Sequence, residues 1–463
     1  MSELWTGEEM ARALGAGYDV GGVSIDTRTL MPGDLFVALA GVRDGHEFVA
    51  EAMKKGAAAA LVSRPGGHGF EIVVPDTLKA LEALGEAARE RSPARRAAVT
   101  GSVGKTSVTQ AIAAGLHLAG RAHSSVKSYN NHIGVPLTLA RMRRETERAV
   151  FEIGMNHAGE IGPLSRMVKP HVSVITTVGP VHVENFPDGE IGIAHAKAEI
   201  FEGMEPGGAA VLNADSPWFD LLSSAAKTQD LRVVSFGSHA GCDARLEGFA
   251  ATGDGAVVGA RIKGRDLSFR IAQSGAHWGP NSLAALLVMD ELGVPLETGL
   301  AALAAFAPLE GRGAVRSIET AEGPFTLVDE SYNANPLSMR AAFATLAGRH
   351  AAGRRIVVLT DMLELGPEGP RHHAGLAGPI EAARIDLVYA AGPQMRSLWE
   401  ALPPTLRGAY AENATELAPE VLAAVRAGDV VMVKGSNGSR ASLVARALAD
   451  LGASPAAPAS ETR

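Results

Sequence analysis

The octapeptide TGSVGKTS, Thr100 to Ser107, holds the most readable chemistry in this chain. An apolar stretch, Ala97-Ala98-Val99, precedes it, and a helix-like stretch from Val108 to Leu118 follows. Strand, glycine loop and helix in that order turn backbone N–H groups toward phosphate oxygens, and the helix N-terminus adds a favourable dipole. Gly101 and Gly104 let the backbone curl, and Ser102, Val103 and Ser107 complete the phosphate-facing loop. Lys105 reaches the β- and γ-phosphates, and the Thr106 hydroxyl suits Mg2+. The longer form of this motif has a glycine where Val99 stands, so the loop is a shorter T-G-x-x-G-K-T variant. The bland reading is a glycine turn with a surface lysine. The position between strand and helix favours ATP instead.

Several further residues are candidates for work on that phosphate. Glu152 lies inside the apolar strand AVFEIGM, where a carboxylate is costly unless it meets a cation or donors. It is either a Mg2+ ligand at a strand's carboxyl end or a solvent-facing strand-end glutamate. His182, in GPVHVENF, is either structural or a ligand in the loop after the next strand. Lys197, in AHAKAEIF, has small and apolar neighbours. It either snorkels to water or stays neutral and reacts with CO2, giving a carbamate suited to a second Mg2+. Asp329 ends the strand FTLVDE, as a turn residue or as an acceptor for ribose hydroxyls. Arg312, in EGRG, is either an exposed linker arginine or a cation that meets the γ-phosphate when domains close.

The elements needed to position these groups are legible. With 463 residues the chain is long enough for two to four domains, and 46% hydrophobic with 20% charged residues is ordinary for a globular protein. A formal charge of −8 argues against a nucleic-acid binder with a broad basic face. Cys242 is the only cysteine, which excludes an intrachain disulfide and fits a reducing compartment. The polar N-terminus is unlike a signal peptide, and no apolar run is long enough for a bilayer span, so the expected location is cytoplasmic.

Residues 1–93 mix helices with strands at Asp34–Leu39, Ala57–Val62 and Ile72–Val74, and the basic stretch Arg91–Arg96 reads as a linker. Residues 94–310 begin with the phosphate loop and continue with apolar strands at Ala149–Ile153 and Val172–Thr176, the pattern of a parallel sheet covered on both faces. Residues 231–272 alternate and contain the turn Gly253-Asp254-Gly255, which predicts antiparallel hairpins, and helix returns at Asn281–Leu292. Residues 311–453 place strands at Phe325–Val328, Arg355–Thr360, Leu387–Ala390 and Val430–Val433 between helices, which predicts a doubly wound Rossmann-like unit. Residues 454–463 read as a disordered tail. The expected fold class is therefore α/β with three domains.

Taken together, FEIGMNHAGEI, VHVENF, AKAEIF, HWGPN, GRG and DESYNANP, following TGSVGKTS in that order, resemble the Mur ligase family of ATP-dependent ligases that extend the peptide of peptidoglycan precursors. The resemblance covers nearly the whole chain. VSIDTRTLMPGDLFVALAG is similar to the subtypes adding the third residue or the terminal dipeptide. SYNNHIGVPLTL and DESYNANP resemble the dipeptide-adding subtype, and the DNPR motif frequent in the other is absent. Folylpolyglutamate synthases share the central chemistry without the SIDTR block.

The resemblance implies an N-terminal domain for the uridine diphosphate substrate, a central ATP-binding domain and a C-terminal ligase domain. It implies UDP-N-acetylmuramoyl-tripeptide and D-alanyl-D-alanine as substrates, ATP, two Mg2+ sites and a monomer. Thr106 and Glu152 would hold the first Mg2+, and His182 and carbamylated Lys197 the second. Asn281 would contact adenine, Arg312 the γ-phosphate and Asp329 the ribose. Ser24, Thr27 and Arg28 would face the uridine diphosphate, with Asp44 and His46 nearby. Asn130, Asn131, Asn156 and His157 would line the region around the peptide and the incoming amine, joined by Tyr332, Asn333 and Asn335. One departure is Trp278, where the family often has asparagine; it either stacks on adenine or packs. A kinase or a nucleotide-sensing module remains an alternative use of the same loop.

Overall fold

The computed structural model describes residues 3–41, 43–126, 128–252 and 255–452. They form two compact units. The first comprises Met1–Thr177, Ala194–Arg245 and Ser282–Leu303, and the second Val178–Ile193, Leu246–Asn281 and Ala304–Arg463.

The first unit holds a small parallel sheet and a larger one. The small sheet runs in the order Gly22–Ser24, Asp34–Val37, Ala59–Val62, Glu71–Val73. Its middle strands are buried along their whole length, as a sheet covered on both faces requires. Within the first unit the strands of the larger sheet include, in order, Arg232–Gly237, Ala209–Asn213, Val172–Ile175, Arg95–Thr100, Arg148–Glu152, Ala122–Ser124, and every neighbouring pair among these six is parallel. Arg95–Thr100 is central and feeds the phosphate loop, which leads into helix Lys105–Ala119.

Two expectations change here. Arg91–Arg96 is not a linker. Helix Thr77–Glu90 ends at Arg91, and the central strand starts four residues later at Arg95. The Arg91 guanidinium stacks on the Trp5 ring at 3.6 Å and meets Glu9 at 3.0 Å. Arg96 is buried, donating Nε–H to the Val168 carbonyl at 2.8 Å and meeting Glu205 at 3.1 Å. Arginine can be buried like this because its stem is apolar and its forked donors find carbonyls. Residues 231–272 are also only partly antiparallel. Arg232–Gly237 pairs in parallel with Ala209–Asn213, and Phe236 lies opposite Ala244, again in parallel. The apolar run Val233-Val234 favours that buried, parallel setting over a hairpin.

The second unit contains the antiparallel hairpin expected from the alternating pattern, Gly255–Ile262 with Arg265–Ile271. The predicted turn residues Gly253 and Asp254 lie outside the described residues, as does the tail. The unit's main sheet runs Ala314–Ile318, Phe325–Glu330, Val430–Lys434, Arg355–Thr360, Leu387–Ala391, Arg407–Ala411. The first pair is antiparallel and the rest are parallel. Helices on both faces bury two apolar layers against it, one around Met339, Phe343 and Leu376 and the other around Leu417, Val444 and Leu448. This is the predicted doubly wound arrangement, whose ligands bind at the carboxyl ends of the strands. No helix among the described residues is long and apolar enough to cross a membrane.

Candidate functional site

In the first unit, the phosphate loop is fastened at both ends. Gly101 and Gly104 adopt φ 146° and 87°, the left-handed region glycine tolerates. The Ser102 N–H donates to the Thr177 carbonyl at 2.8 Å, and the Thr176 hydroxyl donates to the Val103 carbonyl at 2.6 Å. Lys105 folds back to donate to the Gly101 carbonyl at 2.8 Å. The Thr106 hydroxyl, buried, lies 3.3 Å from that of Ser128.

Glu152 ends the strand beside this one, with Val99 as its cross-strand partner. It is 1% exposed. Asn130 donates its amide to one carboxylate oxygen at 2.7 Å, while Oε2 is buried with no hydrogen-bond partner among the described residues. A buried carboxylate oxygen left so is expensive. A hard cation held with the Thr106 hydroxyl would satisfy it, so this donor set fits Mg2+. Asn130, expected near the peptide, thus grips the candidate metal ligand. Lys197, on helix Glu190–Ala198, is 3% exposed, and burial together with the Lys105 charge holds its amine well below the usual lysine range. A neutral amine is what carbamate formation with CO2 needs.

The remaining calls in this unit fall in two groups. Ser24 and Thr27 are buried; the Ser24 hydroxyl donates to the Asp26 carbonyl at 3.1 Å. Arg28 clamps Asp26 with Nε–Oδ1 at 2.9 Å, and that bond holds the Asp26 carboxyl down at about 2. Asp44, His46 and Ser63 form a chain, with His46 Nδ1 2.7 Å from Asp44 and the Ser63 N–H donating to His46 Nε2 at 2.9 Å. The order Asp-His-Ser suggests nucleophile activation, but the Ser63 amide occupies the imidazole lone pair, so the chain orders the loop instead. Asn131 accepts from the Gly134 N–H at 2.9 Å, at the start of helix Gly134–Ala140. The Asn156 N–H donates to Glu160 at 2.8 Å, and His157, largely exposed, lies 3.2 Å from the same carboxylate.

In the second unit, Asp329 sits one residue before the end of its strand, buried, with both oxygens engaged. Oδ1 accepts from the Ser331 hydroxyl at 2.6 Å and Oδ2 from the Gly311 N–H at 3.1 Å. Arg312 lies over the Tyr332 ring at 4.3 Å. Asn333 accepts from the Ala334 N–H, and Asn335, buried, caps helix Pro336–Ala347 in a reciprocal bond with Ser338. Trp278 is buried against Phe306, with ring centroids 5.8 Å apart, so it packs. Asn281 lies in the first turn of helix Trp278–Glu291. His182, at φ 58°, places Nδ1 2.6 Å from Glu364.

Two positions escaped the sequence reading. Lys434 ends strand Val430–Lys434, is 2% exposed, and donates to the Asn333 carbonyl at 2.9 Å while facing Glu330 at 3.3 Å. A charged residue closing an apolar strand was the signal that singled out Glu152, and it was equally present here. Glu364 follows the strand Arg355–Thr360 in DMLELG, where nothing local distinguishes it. A cleft of about 730 Å3 also opens at the carboxyl ends of this sheet, beside Asp361, Gly392, Asn413, Thr415 and Arg440. No residue singled out from the sequence lines it.

Comparison with known proteins matches the Mur ligase catalytic domain to residues 19–99, the Mur ligase middle domain to 99–289 and the Mur ligase glutamate ligase domain to 315–437. A relative from Escherichia coli named UDP-N-acetylmuramoyl-tripeptide--D-alanyl-D-alanine ligase is 35% identical, with 95% of this chain and 96% of the relative covered. One of the same name from Rickettsia prowazekii is 31% identical, with 94% and 97% covered. Among solved structures, MurF from Acinetobacter baumannii superposes with a TM-score of 0.84 at 28% identity, covering 96% of this chain and 99% of that one.

Proposed function

The chain belongs to the Mur ligase family, and from that premise we propose that it joins D-alanyl-D-alanine to UDP-N-acetylmuramoyl-tripeptide at the expense of ATP. It is a C–N bond-forming ligase. The relatives that carry the dipeptide-adding name over nearly their whole length support the subtype. The observation that carries the chemistry is Glu152, a buried carboxylate with one oxygen unpartnered among the described residues, on the strand beside the one that feeds the phosphate loop.

The tripeptide carboxylate is a poor acyl donor. Its oxygen takes the γ-phosphoryl group of ATP, giving an acyl phosphate and ADP. The neutral amine of the dipeptide then attacks the acyl carbon, phosphate leaves, and the amine's proton is lost as the amide forms. The loop N–H groups and Lys105 bind and orient the triphosphate, and Arg312 adds positive charge at the γ-phosphate. Bound Mg2+ would neutralise charge on the transferring phosphoryl group, held by Thr106 and Glu152 at one position and by His182 and carbamylated Lys197 at a second. Asn281 takes adenine and Asp329 the ribose. Ser24, Thr27, Arg28, Asp44 and His46 serve the uridine diphosphate end. Asn130, Asn131, Asn156, His157, Tyr332, Asn333 and Asn335 border the peptide and amine. The acyl phosphate hydrolyses readily, so domain closure that excludes water is part of the reading. The domains are 1–93, 94–310 and 311–453, the chain acts as a monomer, and its setting is the cytoplasm.

The test is phosphate release from ATP with the tripeptide substrate, comparing D-alanyl-D-alanine, single amino acids, and folate with glutamate. Release that needs both tripeptide and dipeptide supports the assignment. Release with a single amino acid overturns the subtype and keeps the ATP chemistry.

A further inference from the structure

We propose that Tyr332 is a positioning residue for Arg312: its ring holds the guanidinium in place from one face without neutralising its charge. The proposal rests on the reading of Arg312 given above, and its first measurement does not.

The guanidinium carbon of Arg312 stands 4.3 Å from the centroid of the Tyr332 ring, inside the roughly 6 Å over which a cation is drawn to an aromatic face. Among the described residues no hydrogen bond or ion pair takes that guanidinium. The backbone builds the stack from both sides. Arg312 lies between Gly311 and Gly313, at φ 70° and 93°, so the chain turns sharply around it. A Cβ on Gly311 would come within 2.9 Å of the Tyr332 Cβ, and the bare glycine is what lets the tyrosine pack there. The Tyr332 N–H donates to the Gly311 carbonyl at 3.1 Å, and the Gly313 N–H donates to the Asp329 carbonyl at 2.8 Å. One residue earlier, the Ser331 N–H donates to Asp329 Oδ1 at 3.1 Å. One residue later, the Asn333 carbonyl is taken by the buried Lys434 amine at 2.9 Å. Tyr332 is thus fixed before, at and after its own position.

What holds the arginine decides what it can still do. Arg354, in the same unit, is clamped by Asp429, with Nε–Oδ1 at 3.1 Å and Nη2–Oδ2 at 2.6 Å, so its charge and donors serve the fold. A carboxylate placed on Arg312 in that way would neutralise the cation that a phosphate has to meet. An aromatic face attracts the guanidinium through its quadrupole and leaves the N–H donors free at the edge of the plane. The arginine keeps its charge and loses less rotamer freedom when an anion arrives. Ordering one such side chain in advance is worth about 3- to 10-fold in affinity.

The full-length chain, labelled on arginine with 13C and 15N, is examined by NMR, with Arg312→Lys identifying the Arg312 signals. The wild type is expected to show Arg312 side-chain protons shifted upfield by the ring. Tyr332→Leu should lose that shift and Tyr332→Phe should keep it. In turnover with saturating tripeptide and dipeptide, Tyr332→Leu is expected to lower kcat/KM for ATP about 3- to 10-fold. The inhibition constant of ADP, which has no γ-phosphate, should stay within about twofold. Tyr332→Phe should recover most of kcat/KM. Tyr332→Leu combined with Arg312→Ala should be no slower than Arg312→Ala alone. An unchanged Arg312 signal in a folded Tyr332→Leu protein overturns the proposal. So does an unchanged kcat/KM for ATP, a loss that ATP and ADP share, or a loss that adds to that of Arg312→Ala. A lost ring shift with a fully active Arg312→Ala protein keeps the stack and overturns the role assigned to Arg312.

Discussion

Two acidic residues near the ends of apolar strands, Glu152 in the first unit and Asp329 in the second, look alike in the sequence and end up in opposite states. Asp329 spends both oxygens on its own loop, taking the Ser331 hydroxyl and the Gly311 N–H. Glu152 receives one amide from Asn130 and leaves Oε2 buried and unpartnered among the described residues. A carboxylate with both oxygens engaged braces its loop and keeps further lone pairs for a ribose hydroxyl, whereas a buried oxygen left unpartnered suits a cation. The lysines show the same contrast. Lys434 is buried with Glu330 and the Asn333 carbonyl as partners. Lys197 is buried with no ion-pair partner among the described residues, and its amine is pushed toward the neutral form.

The sharpest way to break this comparison is Glu152→Gln. If Oε2 holds Mg2+, kcat/KM should fall about a thousandfold. The melting temperature should hold or rise, because an uncompensated buried charge is gone. Full activity in the Glu152→Gln enzyme would remove the distinction between the two carboxylates. Next comes Lys197→Ala, expected to cost at least about 100-fold in kcat if a carbamate there supplies charge at the transferring group. Millimolar acetate or formate should restore part of it, and retained activity under CO2-depleted conditions would exclude the carbamate.

Asp329→Ala should act in the other direction, on structure before rate. It strands the Gly311 and Ser331 N–H groups, so urea unfolding should show a loss of about 2 kcal/mol. The smallest effect concerns a neutral buried group in the first unit. Burial pushes His123 down to about 4, and its Nε2 lies 2.7 Å from the Thr138 carbonyl. Its folded pKa lies below the unfolded value of about 6.5. The unfolded chain therefore binds the extra proton first, and this contribution to stability, complete above about pH 6.5, is lost as pH falls toward 4. Unfolding in urea at pH 7.5 and 5.8 should show part of that loss, about 1 kcal/mol, in the wild type and not in His123→Gln.

Much of the fold was legible because its signals are local. The continuous apolar strands around Val99, Val174 and Val358 declare parallel sheets, and the alternating Gly259–Lys263 declares a hairpin strand, which the structure contains. What local pattern misread was burial of charge. Arg91 and Arg96 look like linker residues until Trp5, Glu9, Val168 and Glu205 arrive from elsewhere in the chain. Lys434 went unread although its local signal, a charge closing an apolar strand, was the one used for Glu152.

The order and type of the motifs and the glycine loop between strand and helix follow from residue types and spacing, because backbone conformation and apolar periodicity are short-range; the ligase family entered as a resemblance carried by those motifs. Which acid keeps an unpartnered oxygen, which lysine loses its proton and which carboxylate meets His182 were decided by tertiary contacts. Those properties depend on the donors, charges and burial that distant segments bring to one atom. Asn130 reaches Glu152 across 22 positions, and Glu364 reaches His182 from another loop altogether.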